Sequence, residues 1–208
     1  MDILNKRYKE AYERAKALDS SSQEILRYLF LDIDGVLNTI RYSNYLIDQE
    51  EDEVDEDGAL FDPEAVNNLA CIVENVPDLK IIISSTWRLK GWDWMNRLWV
   101  KRQLPGKIYS FTPALDIVCF KDLINQKNSN STFPYGTRGL EINEWLRQNV
   151  KRGTPYKYII LDDEIDYLAI QEDSVVLTDP YQGLSKSKAE EVIQKLSIPN
   201  YPFSTNTR

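Results

Sequence analysis

In the stretch YLFLDIDGVLN, Asp32 and Asp34 stand one residue apart, directly after four apolar residues and directly before Gly35. Buried carboxylates are costly unless something compensates their charge. A second stretch, YIILDDEID, likewise ends an apolar run in Asp162 and Asp163, with Asp166 just beyond, and a third, KIIISSTWR, ends in the hydroxyls of Ser84 and Ser85. A hard divalent cation reconciles neighbouring carboxylates, and Mg²⁺ takes oxygen ligands from carboxylates, waters and phosphate. A hydroxyl binds an anionic oxygen without adding charge, and glycine lets the backbone turn sharply beside a ligand. The set suits phosphoryl transfer, which needs a nucleophile, a proton shuttle, a metal and donors for the phosphate oxygens. The missing cation is assigned to Arg138 in TRGLEINEWL, because a guanidinium grips phosphate bidentately; Lys90 and Lys121 are the alternatives. Asp-x-Asp-Gly is also ordinary turn chemistry, so the repetition at a second strand end carries the argument.

Apolar runs separated by helical patterns must position these residues. Strands are expected at Arg27–Ile33, Leu79–Ser84, Lys107–Phe111, Tyr156–Leu161 and Ser174–Leu177, with helices at Pro63–Val76, Gly91–Arg102, Gly139–Val150 and Ser185–Leu196. This alternation predicts an α/β fold, a doubly wound Rossmann-like parallel sheet of five strands with a minimal cap. If the first strand continues through them, Asp32 and Asp34 share a face. Open parallel sheets bind ligands at the carboxyl ends of their strands, where all three stretches end. Residues 1–26 read as a helical extension, 27–196 as one domain with an acidic insertion at 39–60 forming a loop or hairpin, and 197–208 as a polar tail.

Composition narrows the chemistry. The chain has no histidine, which removes Ser-His-Asp triads and histidine metal sites. Cys71 and Cys119 are the two cysteines, too few for a disulfide framework, and they read as buried thiols. The arginine that a cysteine-dependent phosphatase loop needs six positions on is replaced by Pro77 and Asn125. A net charge of −8 speaks against duplex DNA as a partner. Without a signal-peptide core or a membrane-length apolar run, a soluble cytoplasmic location is expected.

The four stretches in this order resemble the motifs of the haloacid dehalogenase superfamily: LDIDGV the first, IIIS the second, Arg138 the third (usually lysine) and LDDEID the fourth. FDPEAVNNL, SSTWR, LPGKIYSFTP, RGLEINEWL and TDPYQGLS more narrowly resemble the haloacid-dehalogenase-type domain of Swiss Army Knife RNA repair proteins, over about residues 27–196. The resemblance implies a Mg²⁺-dependent phosphomonoester hydrolase. It makes Asp32 the nucleophile that forms an aspartyl-phosphate, and Asp34 the acid–base residue, whose carbonyl also ligates the metal. Ser84 would hold a phosphate oxygen, Arg138 would offset developing charge, and Asp162 would complete the metal site with Asp163 or Asp166. Ser85 and Arg88 are expected to contact the substrate. That substrate would be a phosphorylated small molecule or a nucleic-acid end.

Two further signals compete with this reading. In EVDEDGALFDPE, Glu53–Glu64, the acids and Gly58 follow the spacing of an EF-hand calcium loop, although Glu opens the loop and Pro63 falls near its end. This keeps open a non-catalytic calcium-binding or interaction module. From Lys80 to Lys107 there are seven basic residues against one acid, with Trp87, Trp92, Trp94 and Trp99 among them. Such a segment either stacks a base near a phosphate or packs an aromatic helix face on the sheet. Core packing is the reading for Trp99 and for Trp145.

Overall fold

The structure, a computed structural model, describes residues 25–115 and 137–197. The expected N-terminal helix at residues 2–18, Lys121 and Cys119 lie outside them, and Leu26, expected in the helical extension, opens the first strand. Five strands form one parallel sheet: β1 (Leu26–Leu31), β4 (Leu79–Ile83), β5 (Ile108–Phe111), β6 (Tyr156–Asp162) and β7 (Val175–Leu177). Their order is β5-β4-β1-β6-β7, and every neighbouring pair is parallel. The chain winds outward from β1 to β5, then returns to the far side of β1. The direction of winding therefore reverses between β1 and β6, where the carboxyl ends of two strands open a crevice.

Alternation along the strands divides the core into two layers. Leu29, Leu31, Ile81, Ile83, Ile159 and Leu161 face one layer. There they meet α2 (Pro63–Asn75), α3 (Trp92–Lys101) and α5 (Lys186–Ser197). Tyr28, Phe30, Ile82 and Ile160 face the other, where Ile142, Trp145 and Leu146 of α4 (Thr137–Asn149) cover them. The three inner strands, β4, β1 and β6, are thus apolar on both faces, which is why they read as unbroken hydrophobic runs. Trp99 and Trp145 are both core residues.

The insertion differs from expectation. It contains a nine-residue helix, α1 (Ile40–Asp48), and a hairpin of β2 (Val54–Asp55) and β3 (Gly58–Ala59). Thr39 caps α1 by accepting from the Tyr42 N–H, and Leu46 is its buried anchor. Asp62 accepts from the Glu64 N–H to cap α2, with Pro63 in the first turn, an arrangement that suits both residues. Cys71 is exposed rather than buried. Among the described residues no helix is long and apolar enough to cross a membrane.

Candidate active site

The parallel ladder continues one residue beyond the strands and sets the candidate residues side by side. Backbone N–H groups donate from Ser84 to Leu31 O (3.0 Å), from Asp32 to Leu161 O (3.0 Å), and from Thr178 to Asp162 O (2.8 Å). Ser84, Asp32 and Asp162 therefore form a row across the sheet end, with Leu177 of β7 next to Asp162. Asp32 and Asp162 are buried. One guanidinium nitrogen of Arg138 lies 3.0 Å from Asp32 Oδ1 and 2.5 Å from Asp162 Oδ2, so a single cation bridges the ends of β1 and β6. Arg138 itself is placed by the first turn of α4. Its N–H donates to Asp166 Oδ2 (3.0 Å), and the Gly139 N–H donates to Asp166 O (2.9 Å). Gly139 allows this approach, because a Cβ there would lie 2.5 Å from the Leu168 backbone nitrogen.

Carboxylate oxygens of Asp32, Asp162 and Asp163 all fall within 4.8 Å of one another. Burial pushes the Asp162 carboxyl up to about 7 against the pull of Arg138. Burial and then the Asp32 charge push Asp163 up to about 6. Burial works against the Arg138 charge, but Asp162 and Asp32 outweigh it and hold the guanidinium firmly protonated. Three clustered oxygen donors, two of them reluctant to ionise without a counter-charge, suit a hard divalent cation. Gly35, at φ +64°, makes the cluster possible: a Cβ on it would meet Asp163 Oδ2 at 2.2 Å. Nearby in the row, the Ser84 hydroxyl oxygen is buried without a hydrogen-bond partner, as fits a group awaiting an anionic oxygen.

Asp34 does not share the face of Asp32. The strand ends at Leu31, and the Val36 and Leu37 N–H groups turn back to Ile33 O. This leaves Asp34 exposed. Its Oδ1 accepts from Asn38 Nδ2 (2.7 Å) and its Oδ2 from Trp87 Nε1 (2.9 Å).

Residues 28–189 match the profile of the family described as the HAD domain in Swiss Army Knife RNA repair proteins. The chain belongs to this family. Comparison with curated proteins and with solved structures gives no match. HAD membership points to hydrolase or phosphatase-type chemistry, with the acidic cluster at the sheet end as its metal-binding candidate.

Within this HAD domain several expected positions resolve differently. Asp163 joins the carboxylate cluster, whereas Asp166 anchors α4. Arg88 does not face a substrate. Its guanidinium donates to the carbonyls of Ser84 (2.7 Å), Ser85 (2.8 Å) and Thr112 (3.1 Å), and pairs with Glu141 at 2.6 Å. Burial lowers the Arg88 pKa and raises that of Glu141, each against the pull of its partner. The Ser85 hydroxyl is buried and accepts from the Trp87 N–H (3.4 Å), starting a 3₁₀ turn at Thr86–Lys90. Lys90 lies over the Trp87 and Trp94 rings, 5.1 and 4.2 Å from their centroids, so among the described residues Arg138 is the cation in contact with the cluster.

The EF-hand spacing does not build a calcium loop. Lys101 Nζ contacts Asp55, Glu56 and Asp57 at 3.2, 2.6 and 2.5 Å, and Arg102 pairs with Asp55. Glu64, the twelfth residue, pairs with Arg41. Asp55, Glu56, Asp57 and Glu64 are thus neutralised by side chains of the same fold. Sequence reading missed Asn38, Glu141 and the tie from Trp87 to Asp34. Gly58, just after the Glu56-Asp57 turn, was a usable hairpin signal.

Proposed function

We propose that this chain is a magnesium-dependent phosphomonoester hydrolase that works through Asp32, with a nucleotide or RNA-end phosphate as substrate. The observation that carries the reading is the bridge from Arg138 to both Asp32 and Asp162, beside the unpartnered Ser84 hydroxyl. An attacking carboxylate and an oxygen donor thus share one strand-end row, and a cation reaches them from α4. Mg²⁺, held by Asp32, Asp162 and Asp163, would supply positive charge against the carboxylates and the phosphate.

Asp32 attacks phosphorus, so that a carboxylate–phosphorus bond forms while the ester P–O bond breaks and Asp34 gives its proton to the leaving oxygen. Water then attacks the same phosphorus as Asp34 takes a proton from it. Inorganic phosphate leaves and both aspartates return to their starting state. Arg138 holds the Asp32 carboxylate in place. The Ser84 hydroxyl donates to a phosphate oxygen.

The family description favours an RNA end, as does the exposed Trp92 beside the basic segment. The net negative charge favours contact local to that end. The test is hydrolysis of an aryl phosphate by the parent and by Asp32→Asn, each with Mg²⁺ and with chelator, followed by a panel of nucleotides and phosphorylated RNA ends. Magnesium-dependent release lost in Asp32→Asn is expected. Undiminished release by Asp32→Asn removes the reading.

A further inference from the structure

The insertion hairpin is too well built to be a solvated acidic loop. Lys101 ties its three acids together, and Arg102 reaches Asp55 and the Gly58 carbonyl. Gly58, at φ +122°, presses against the far edge of the Trp87 indole, where a Cβ would lie 3.3 Å from the ring. Phe61 and Trp94 flank that ring, with centroids 5.6 and 6.0 Å away. Lys90 spans the two parts, resting over Trp87 while its ammonium donates to Asp57 O at 3.3 Å. At its near edge the indole N–H donates to Asp34 Oδ2. One rigid side chain thus links the insertion to the proposed acid–base residue.

We infer that Trp87 is a positioning residue for Asp34 and that the hairpin exists to seat it. The inference rests on the phosphatase reading. A carboxylate exposed on a turn has freedom to swing. With donors on both oxygens, from Asn38 and from Trp87, Asp34 is confined to one orientation. Asn38 lies four residues from Asp34 on the same turn and moves with it, whereas Trp87 comes from the β4 end and is fixed by the hairpin. The second tether therefore refers Asp34 to the sheet and the insertion.

Proton donation matters in proportion to the basicity of the leaving oxygen, and this supplies a readout that general structural damage does not move. Trp87→Phe keeps an aromatic ring and removes the N–H. The ratio of kcat/KM for phenyl phosphate to that for 4-nitrophenyl phosphate does not depend on how much of the sample is folded. For Trp87→Phe it is expected to fall by about tenfold, the worth of one hydrogen bond to the acid. Lys101→Met, which loosens the hairpin without touching the site, is expected to lower the same ratio by less. An unchanged ratio in Trp87→Phe, whether or not both activities fall, overturns the positioning role. An unchanged ratio in Lys101→Met overturns the role of the hairpin. If the parent hydrolyses neither ester, the phosphatase reading fails separately. The tether is then decided by the Trp87 indole N–H resonance: a shift on Asp34→Asn supports it, and an unmoved resonance overturns it.

Discussion

Glu141→Ala tests how the site is braced. Glu141 and Arg88 side chains are 9 % and 7 % exposed and meet at 2.6 Å. Glu141 also accepts from the Leu115 N–H at 3.1 Å, so both of its oxygens are used. It lies three residues after Arg138 on α4, and Arg88 gathers the carbonyls of Ser84, Ser85 and Thr112. The pair therefore fastens the helix carrying Arg138 to the strand end carrying Ser84. Removing one partner of a buried ion pair costs about 3–5 kcal/mol. The carbonyls around Arg88 continue to solvate its charge, which places Glu141→Ala near the lower end, at about 3 kcal/mol. Glu141→Gln preserves shape and one acceptor and should cost about 1–2 kcal/mol, a hydrogen bond to a charged group weakened rather than deleted. Urea denaturation of the parent, both variants, Arg88→Met and Arg88→Met/Glu141→Ala completes the cycle. The double variant should be no worse than Glu141→Ala alone, because the orphaned charge has gone. A Glu141→Ala cost below about 1 kcal/mol, the range of an exposed pair, would refute the bracing argument.

Three other outcomes follow from the geometry. Gly35→Ala forces a methyl into Asp163 at a left-handed φ, so activity and metal affinity should both collapse, with a stability loss of at least about 1–2 kcal/mol; titration calorimetry with Mg²⁺ checks it. Arg138→Met should lower kcat/KM on any phosphate ester by about a hundredfold or more, by analogy with removing one transition-state donor; full activity would mean that another cation serves the phosphate. The third concerns pH. The Asp162 and Asp163 carboxyls are raised to about 7 and about 6 in the fold, above an unfolded value near ~4. Without metal the folded state therefore binds protons more tightly, so these groups cost stability increasingly as pH rises from about 4 to about 7. A cation replaces those protons. The Mg²⁺-induced rise in Tm should accordingly be larger at about pH 7.5 than at about pH 5.5, and an equal or reversed difference counts against the cluster as the metal site.

Local pattern made the frame of the molecule legible. LFL, IIIS and YIIL are buried on both faces and could only be central parallel strands, and their register is what aligns Ser84, Asp32 and Asp162. Contacts between distant residues were not legible. Arg88 looks like a member of a basic surface segment, yet the partner that claims it is Glu141, 53 residues on. Spacing favoured Asp166 and adjacency favoured Asp163; they separate because the first turn of α4 needs an acceptor and Asp166 supplies it. The insertion misled because its acids mimic a calcium loop. Their neutralising partners, Lys101 and Arg102, come from the end of α3, and one buried residue, Leu46, was too faint an apolar signal to mark α1. Asp34 departs from the face of Asp32 because the positive φ at Gly35 completes a turn that the strand pattern does not carry.

The central claim is that Asp32 takes the phosphate. Acid quenching of the parent during turnover with Mg²⁺ and an aryl phosphate, followed by peptide mass analysis, tests it most directly. The account predicts a phosphate on the peptide containing Asp32, absent when chelator replaces Mg²⁺ and absent in Asp32→Asn. Steady release of phosphate by the parent with no modified peptide at any quench time, together with surviving turnover in Asp32→Asn, would contradict it.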